Sequence, residues 1–356
     1  MRLWFSFSLV GMFLFAFAAE RLPAAPPSDR TQTVETSGRE LVTPEAQAAI
    51  DRGLAFLASR QNSEQGFFGG EHKLSRNVAV NSLCGLAFLS AGHTPGRGKY
   101  GNHVQRVVEY VLSRVRPNGY IIDEESSLHG PMYGHGFATL FLAEVYGMTP
   151  TREVRDKLEL AVKLIVNTQN NDGGWRYHPV PKDADLSVTV CQIMALRAAR
   201  NSGIYVPKET VDRCTAYVKR SQNPDGGYRY QLNPSSQVTF GLTSAGVVAL
   251  YSAGVYKGQE IERGIEYLKQ FRPGEVRRRP IIHYYYSHYY AVQAMWHAGG
   301  DHWRAWYPAV RDELLQDGLR LPGGGWTDPS NGDEYATAMA CIVLETPNNY
   351  LPIFQR

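Results

Sequence analysis

The 356-residue sequence has only four cysteines, and they stand far apart: Cys84, Cys191, Cys214 and Cys341. Their spacing matches no metal-ligand pattern, and three of them fall in apolar stretches, so they read as small buried hydrophobes rather than a disulfide framework. Charge of one sign is equally scarce. The formal net charge is +3, and the one dense basic run, Arg277-Arg278-Arg279, is too short to serve a nucleic acid, so that partner is excluded. No phosphate-cradling glycine loop is present, and neither a cofactor nor a bound metal is expected.

Long apolar runs are confined to the start of the chain. Arg2, the run Leu3 to Phe17 and the small residues Ala16-Phe17-Ala18-Ala19 follow the order of a secretory signal, with cleavage expected after Ala18 or Ala19. The run is shorter than the ~20 apolar residues of a spanning helix, which favours cleavage over an uncleaved anchor. Residues 1–19 are therefore read as a signal peptide and the mature protein as exported, periplasmic or extracellular. Residues 20–42, rich in Pro, Ala, Ser and Thr without an apolar period, read as a flexible leader. The remainder, 43–356, is long enough to bury a large core, and 43% hydrophobic against 20% charged is an ordinary globular balance.

What the chain does have is a phrase that returns. Gln169-Asn170-Asn171-Asp172-Gly173-Gly174-Trp175-Arg176-Tyr177 is echoed by Gln222-Asn223-Pro224-Asp225-Gly226-Gly227-Tyr228-Arg229-Tyr230, an offset of 53 residues. Weaker copies sit at Gln61-Asn62 with Gly66 to Gly70, at Pro117-Asn118-Gly119-Tyr120 and at Gly323-Gly324-Gly325-Trp326. A period of about 50 residues marks an array of one supersecondary unit, none of which buries its apolar face alone.

Each unit reads as an amphipathic helix, a glycine-rich loop and a second, more apolar helix. Over Arg152 to Asn167, Val154, Leu158, Val162 and Ile165 share one face, while Arg155, Asp156, Lys157 and Glu159 occupy the other. Leu186 to Arg200 is apolar nearly all round, as are Asn81 to Ser90, Phe137 to Tyr146, Thr243 to Tyr251, Tyr289 to Trp296 and Tyr335 to Leu344. A helix apolar on every side is buried on every side. About six such pairs bury their inner helices by closing into a ring, so the expected fold is all-α, an α/α toroid of about six hairpins. The glycine pair and the recurring Gln, Trp and Tyr of each loop read as structural contacts between units, since residues repeated in several units cannot share one active site.

The Gln-Asn-x-Asp-Gly-Gly-Trp phrase, followed by a helix ending in Met-Ala-Leu or Val-Ala-Leu, resembles the repeat of squalene and hopene cyclases and of protein prenyltransferase β subunits. The resemblance spans residues 45 to 345. Cyclases of that family protonate an alkene with the middle acid of an Asp-x-Asp-Asp motif. The similar segment here is Asp183-Ala184-Asp185-Leu186, which implies Asp185 as the acid; Asp185 also stands at a helix entrance, where Asp is a favoured N-cap. His288 resembles a zinc-binding His of the prenyltransferases, but its partner positions fall near Gln237 and Thr239, poor zinc ligands. The thioester sequence Gly-Cys-Gly-Glu-Gln of complement-like toroids is absent.

In a closed ring the N-termini of the inner helices converge on one mouth above a central cavity. The candidates there for catalysis are Asp185, Asp183 and His288. Those for substrate binding are His135, Tyr133, Ser187, Gln237, His283, Tyr285, Tyr289, Glu334 and Tyr335. Such a mixture of rings, imidazoles and carboxyls suits an apolar or a glycan ligand, with a membrane surface as a further partner. Three readings stand open: a cyclase-like or isoprenoid-acting enzyme, an exported glycan-acting lyase or hydrolase, and a non-catalytic binding or scaffold toroid.

Overall fold

The structure is a computed structural model that describes residues 38–70, 72–126, 130–275, 281–316 and 319–355. The signal-type segment, the leader as far as residue 37, His129 and the Arg277 to Arg279 run lie outside the described residues.

Twelve helices follow one another among the described residues, joined by loops that carry isolated bridges and, at Glu124–Ser126, a 3-10 turn. Six are amphipathic: α1 (Pro44–Arg60), α3 (Gly101–Ser113), α5 (Arg152–Asn167), α7 (Lys208–Arg220), α9 (Gln259–Lys269) and α11 (Gly300–Leu314). The six between them are buried along nearly their whole length: α2 (Val78–Ser90), α4 (Pro131–Met148), α6 (Leu186–Asn201), α8 (Phe240–Ser252), α10 (Tyr284–Ala298) and α12 (Asp333–Glu345). Every apolar stretch singled out in the sequence lies within one of these inner helices. Five of the six begin two to six residues before the run, while α6 begins with it at Leu186.

The two classes follow from their residues. In α5, Val154, Leu158, Ala161, Val162 and Ile165 are buried, while Arg155 and Glu159 pair on the outer face at 2.9 Å. Thr151 caps the helix by accepting the Val154 amide at 3.3 Å. In α8 all thirteen residues are buried. Consecutive inner helices pack side by side, and α12 returns to pack on both α2 and α1, which closes the ring. Arg60 at the end of α1 pins the closure by an ion pair of 2.8 Å to Glu334 at the start of α12.

The repeated loop phrase acts as a clasp. Gln61, Gln169 and Gln222 each donate one side-chain amide both to their own loop and to the next outer helix, at His103, Thr210 and Glu260. Gly173 must be glycine: its φ is 99°, and a Cβ there would sit 2.2 Å from the Arg213 carbonyl oxygen. A second clasp ties each loop to its own inner helix. The amides of Phe68, Ile121, Trp175, Tyr228 and Trp326 donate to Asn81, His135, Thr189, Thr243 and Thr337 at 2.8, 3.2, 3.1, 3.1 and 2.9 Å. Each satisfies a buried amide whose orphaning would cost about 1–3 kcal/mol.

At the opposite end of the ring the segment Leu351 to Phe354 is tucked beneath the inner helices. Trp296 donates to the Phe354 carbonyl at 3.0 Å, and Arg197 donates to the carbonyls of Tyr251 at 2.9 Å and Gln355 at 2.5 Å. All four cysteines are buried thiols. Among the described residues no helix is long and apolar enough to cross a membrane.

Candidate functional site

The second clasp fixes which face of each inner helix looks inward. Residues advance by about 100° along a helix, so the residue two before a clasp position points to the opposite side, away from the loop. Those residues are Ala79, Tyr133, Ser187, Gly241 and Tyr335, and the same register in α10 gives Tyr286. They converge. Tyr133 and Ser187 hydroxyls are hydrogen-bonded across α4 and α6. A Cβ on Gly241 would lie 2.5 Å from the Ser287 hydroxyl and 3.2 Å from the Tyr286 ring. Tyr286 is close enough to Tyr133, Cys191, Asp185 and Tyr335 for their charges to bear on its hydroxyl.

Tyr133, Tyr286 and Tyr335 are only half-buried, yet so enclosed by protein that burial drives their hydroxyl pKa values far above the usual tyrosine value. Partial access amid dense surroundings describes a recess at the mouth of the ring. One turn deeper, Tyr289 meets Phe137 at a centroid distance of 6.0 Å, Tyr290 packs against Tyr289 at 4.9 Å, and the Cys191 thiol contacts the Tyr290 hydroxyl at 3.3 Å. Burial lifts that thiol to about 12. The expected central cavity is therefore corrected: bulky side chains from α4, α6 and α10 fill it, and Tyr289 belongs to the filling.

Asp185 lies on the wall of the recess with 0% of its surface exposed. Its Oδ1 accepts the Val188 amide at 2.9 Å, capping α6, and the Ser187 hydroxyl at 2.7 Å. Its Oδ2 makes no hydrogen bond among the described residues. Burial raises the carboxyl above the ordinary aspartate range, against the Ser187 and Val188 hydrogen bonds, the Arg176 charge and the neighbouring Tyr230 hydroxyl. The capping bond and the Ser187 bond thus fall on one oxygen of the carboxyl.

The remaining sequence candidates spread out. Asp183 is exposed at the rim, paired with Arg176 at 3.2 Å. Tyr285 sits behind Tyr335 and feels the charges of Asp328 and Asp333. Gln237 is exposed on the loop before α8, with its carbonyl accepting the Tyr230 amide. His283 is exposed and enters α10 with a left-handed φ of 54°.

Three candidates face away from the recess. His135 is a clasp: its Nδ1 accepts the Ile121 amide, its Nε2 donates to the Ala161 carbonyl at 3.2 Å, and burial lowers its pKa to about 4. His288 occupies the equivalent place in α10 and packs against Tyr284, Phe240 and Trp306, toward α8 and the outer helix α11. Glu334 is the ring-closing partner of Arg60.

The structure adds residues that sequence reasoning had left among the structural phrase. Tyr177 and Tyr230, each two residues after its aromatic clasp, share a hydroxyl–hydroxyl hydrogen bond of 2.5 Å beside Asp185, with Arg176 over both rings. Their common place in a 53-residue period could have revealed them.

Comparison with known proteins agrees with this architecture. A family model described as the prenyltransferase alpha-alpha toroid domain matches residues 102–273. A drimenyl diphosphate synthase of Streptomyces showdoensis is 28% identical over 207 residues, covering 58% of this chain and 33% of that protein. The chain thus spans about a third of the length of that curated relative. Among solved structures, a type II terpene cyclase from Scytonema superposes with a TM-score of 0.58 at 16% identity, covering 87% of this chain and 100% of that one. An alpha-1,6-mannanase of Salegentibacter sp. HEL1_6 superposes with a TM-score of 0.63 at 10% identity, covering 86% and 99%. At such identities the two structures attest the fold alone.

Proposed function

We propose that the chain, which matches the prenyltransferase alpha-alpha toroid domain over residues 102–273, receives the unsaturated end of an isoprenoid in its recess, with Asp185 as the proton donor. The observation that carries this reading is the divided carboxyl of Asp185. Oδ1 is held by Ser187 and Val188, while the buried Oδ2 makes no close hydrogen bond and the Tyr230 hydroxyl is the carboxyl's further polar neighbour. In this scheme the Oδ2–H bond breaks as a new C–H bond forms at the terminal alkene carbon, leaving a tertiary cation. An internal double bond attacks that cation to form a C–C bond, and loss of a proton from the neighbouring carbon restores an alkene and returns the proton. The faces of Tyr133, Tyr286 and Tyr335 suit a passing cation, an interaction of about 0.5–2 kcal/mol per ring.

The filled centre limits what enters. With Phe137, Tyr289 and Tyr290 packed across the centre, cyclisation of one terminal pair of prenyl units is the expected extent of reaction. The same filling favours a second reading, capture of the chain end without turnover. From the signal-type order of residues 1–19 we further propose that either activity lies outside the cytoplasm, which N-terminal sequencing of the mature protein checks.

The test is incubation of the purified protein with farnesyl diphosphate and with farnesol in heavy water, with products read by mass spectrometry. Cyclised product one mass unit heavier, with one deuterium in place of one hydrogen, supports the acid role. Asp185→Asn keeps a good N-cap, with stability altered by only a few tenths of a kcal/mol, and should abolish product. Binding of either probe without product would establish the second reading. No product and no binding would overturn both.

A further inference from the structure

Where the two ends of the ring meet, a cavity lies well apart from the mouth, at the C-terminal ends of α2 and α12 and beside the start of α1. Its volume is about 720 Å3, within the range of roughly 300–1,000 Å3 of small-molecule sites.

Its floor is Glu345, 1% exposed, whose Oε2 is hydrogen-bonded to the Ser90 hydroxyl while Oε1 has no hydrogen bond among the described residues. Burial, aided by the nearby Asp51 charge and against the Ser90 hydrogen bond, holds this carboxyl well above the usual glutamate value and favours its protonated form. A protonated acid with an idle oxygen is both a donor and an acceptor. The walls alternate in character. Gln47 donates to Asp51 at 2.9 Å, while Lys99 and Arg39 lie over the rings of Tyr100 and Tyr350, each 4.9 Å from the centroid. His93 is kept toward its neutral form by burial and by Lys99. Ile50 and Leu54 supply an apolar side.

The charges select against ions. Lys99 and Arg39 oppose an ammonium, while Asp51 and the Tyr100 and Tyr350 rings beneath the two cations offset their pull on a carboxylate or phosphate. What remains favoured is a neutral molecule that gives and takes several hydrogen bonds and has an apolar face. We propose that this cavity binds a neutral polyhydroxylated ligand of mono- to disaccharide size, with Glu345 donating to a ligand hydroxyl and Asp51 accepting from another. The site is independent of the recess at Asp185.

Saturation-transfer NMR with maltose, cellobiose, trehalose and myo-inositol, beside glucosamine and glucuronate as charged controls, tests it. At least one neutral probe should bind, and more tightly than both charged ones. Gln47→Trp, an exposed position at the opening, should weaken that binding by about tenfold or more while the melting temperature holds. Glu345→Gln keeps a neutral donor and should change affinity by no more than about twofold. Absence of binding by all four neutral probes, tighter binding of a charged control, or unchanged affinity in a folded Gln47→Trp protein would each overturn the proposal.

Discussion

Phe137 of α4 and Tyr289 of α10 meet edge to face at 6.0 Å, although their helices stand three places apart in a six-membered ring. Contact between opposite members is possible only because these side chains fill the centre. Phe137→Ala should therefore destabilise the protein by about 3–5 kcal/mol. Urea unfolding measures this, and a loss below about 1 kcal/mol would mean that the centre is not closely packed.

Ring closure rests on Arg60 and Glu334. Glu334 is buried and Arg60 is half-exposed, so removing the arginine strands a carboxylate from which water is largely excluded. Arg60→Ala should cost about 1–3 kcal/mol, below the value for a fully buried pair. In a double-mutant cycle with Glu334→Gln the second change should cost markedly less than it does alone, and strict additivity would deny the coupling.

His135 makes stability depend on acid. Its folded pKa is about 4, against about 6.5 unfolded, so the unfolded chain binds the proton first as pH falls. The stability contributed by the neutral ring is complete above about 6.5 and drains away toward pH 4, by up to about 3 kcal/mol. His135→Asn, the residue that α2 uses at this clasp, should lose less stability than the parent between pH 7 and pH 4.5.

Glu144 acts in the opposite direction. Burial lifts its folded pKa to about 8, despite the Ile353 amide and the Arg197 charge. Its contribution is whole below the unfolded value near 4.5 and is lost as pH rises toward 8. Glu144→Gln should gain on the parent by about 1–3 kcal/mol between pH 5 and pH 8. A difference independent of pH would show that Glu144 titrates normally.

Much of this architecture was legible in the chain. The 53-residue echo and the six all-round apolar stretches give the hairpins, and the loop glycines have no substitute where their backbone meets the next outer helix. Tyr133, Asp185, Ser187 and Tyr335 lie together around Tyr286. His135 and His288 do not, because a clasp position and an inward position are two residues apart in the same turn, and residue type does not distinguish them. Only the loop amide that each clasp satisfies reveals the face.

The sequence by itself determined the repeat, the alternation of outer and inner helices and the caps, since these depend on contacts within one unit and its neighbour. The tertiary structure decided the closure of α12 on α2 and the filling of the centre by Phe137, Tyr289 and Tyr290. Closure depends on the sum of small angles between successive units, and filling on side-chain volumes contributed from opposite walls. Neither quantity exists until all six hairpins are in place.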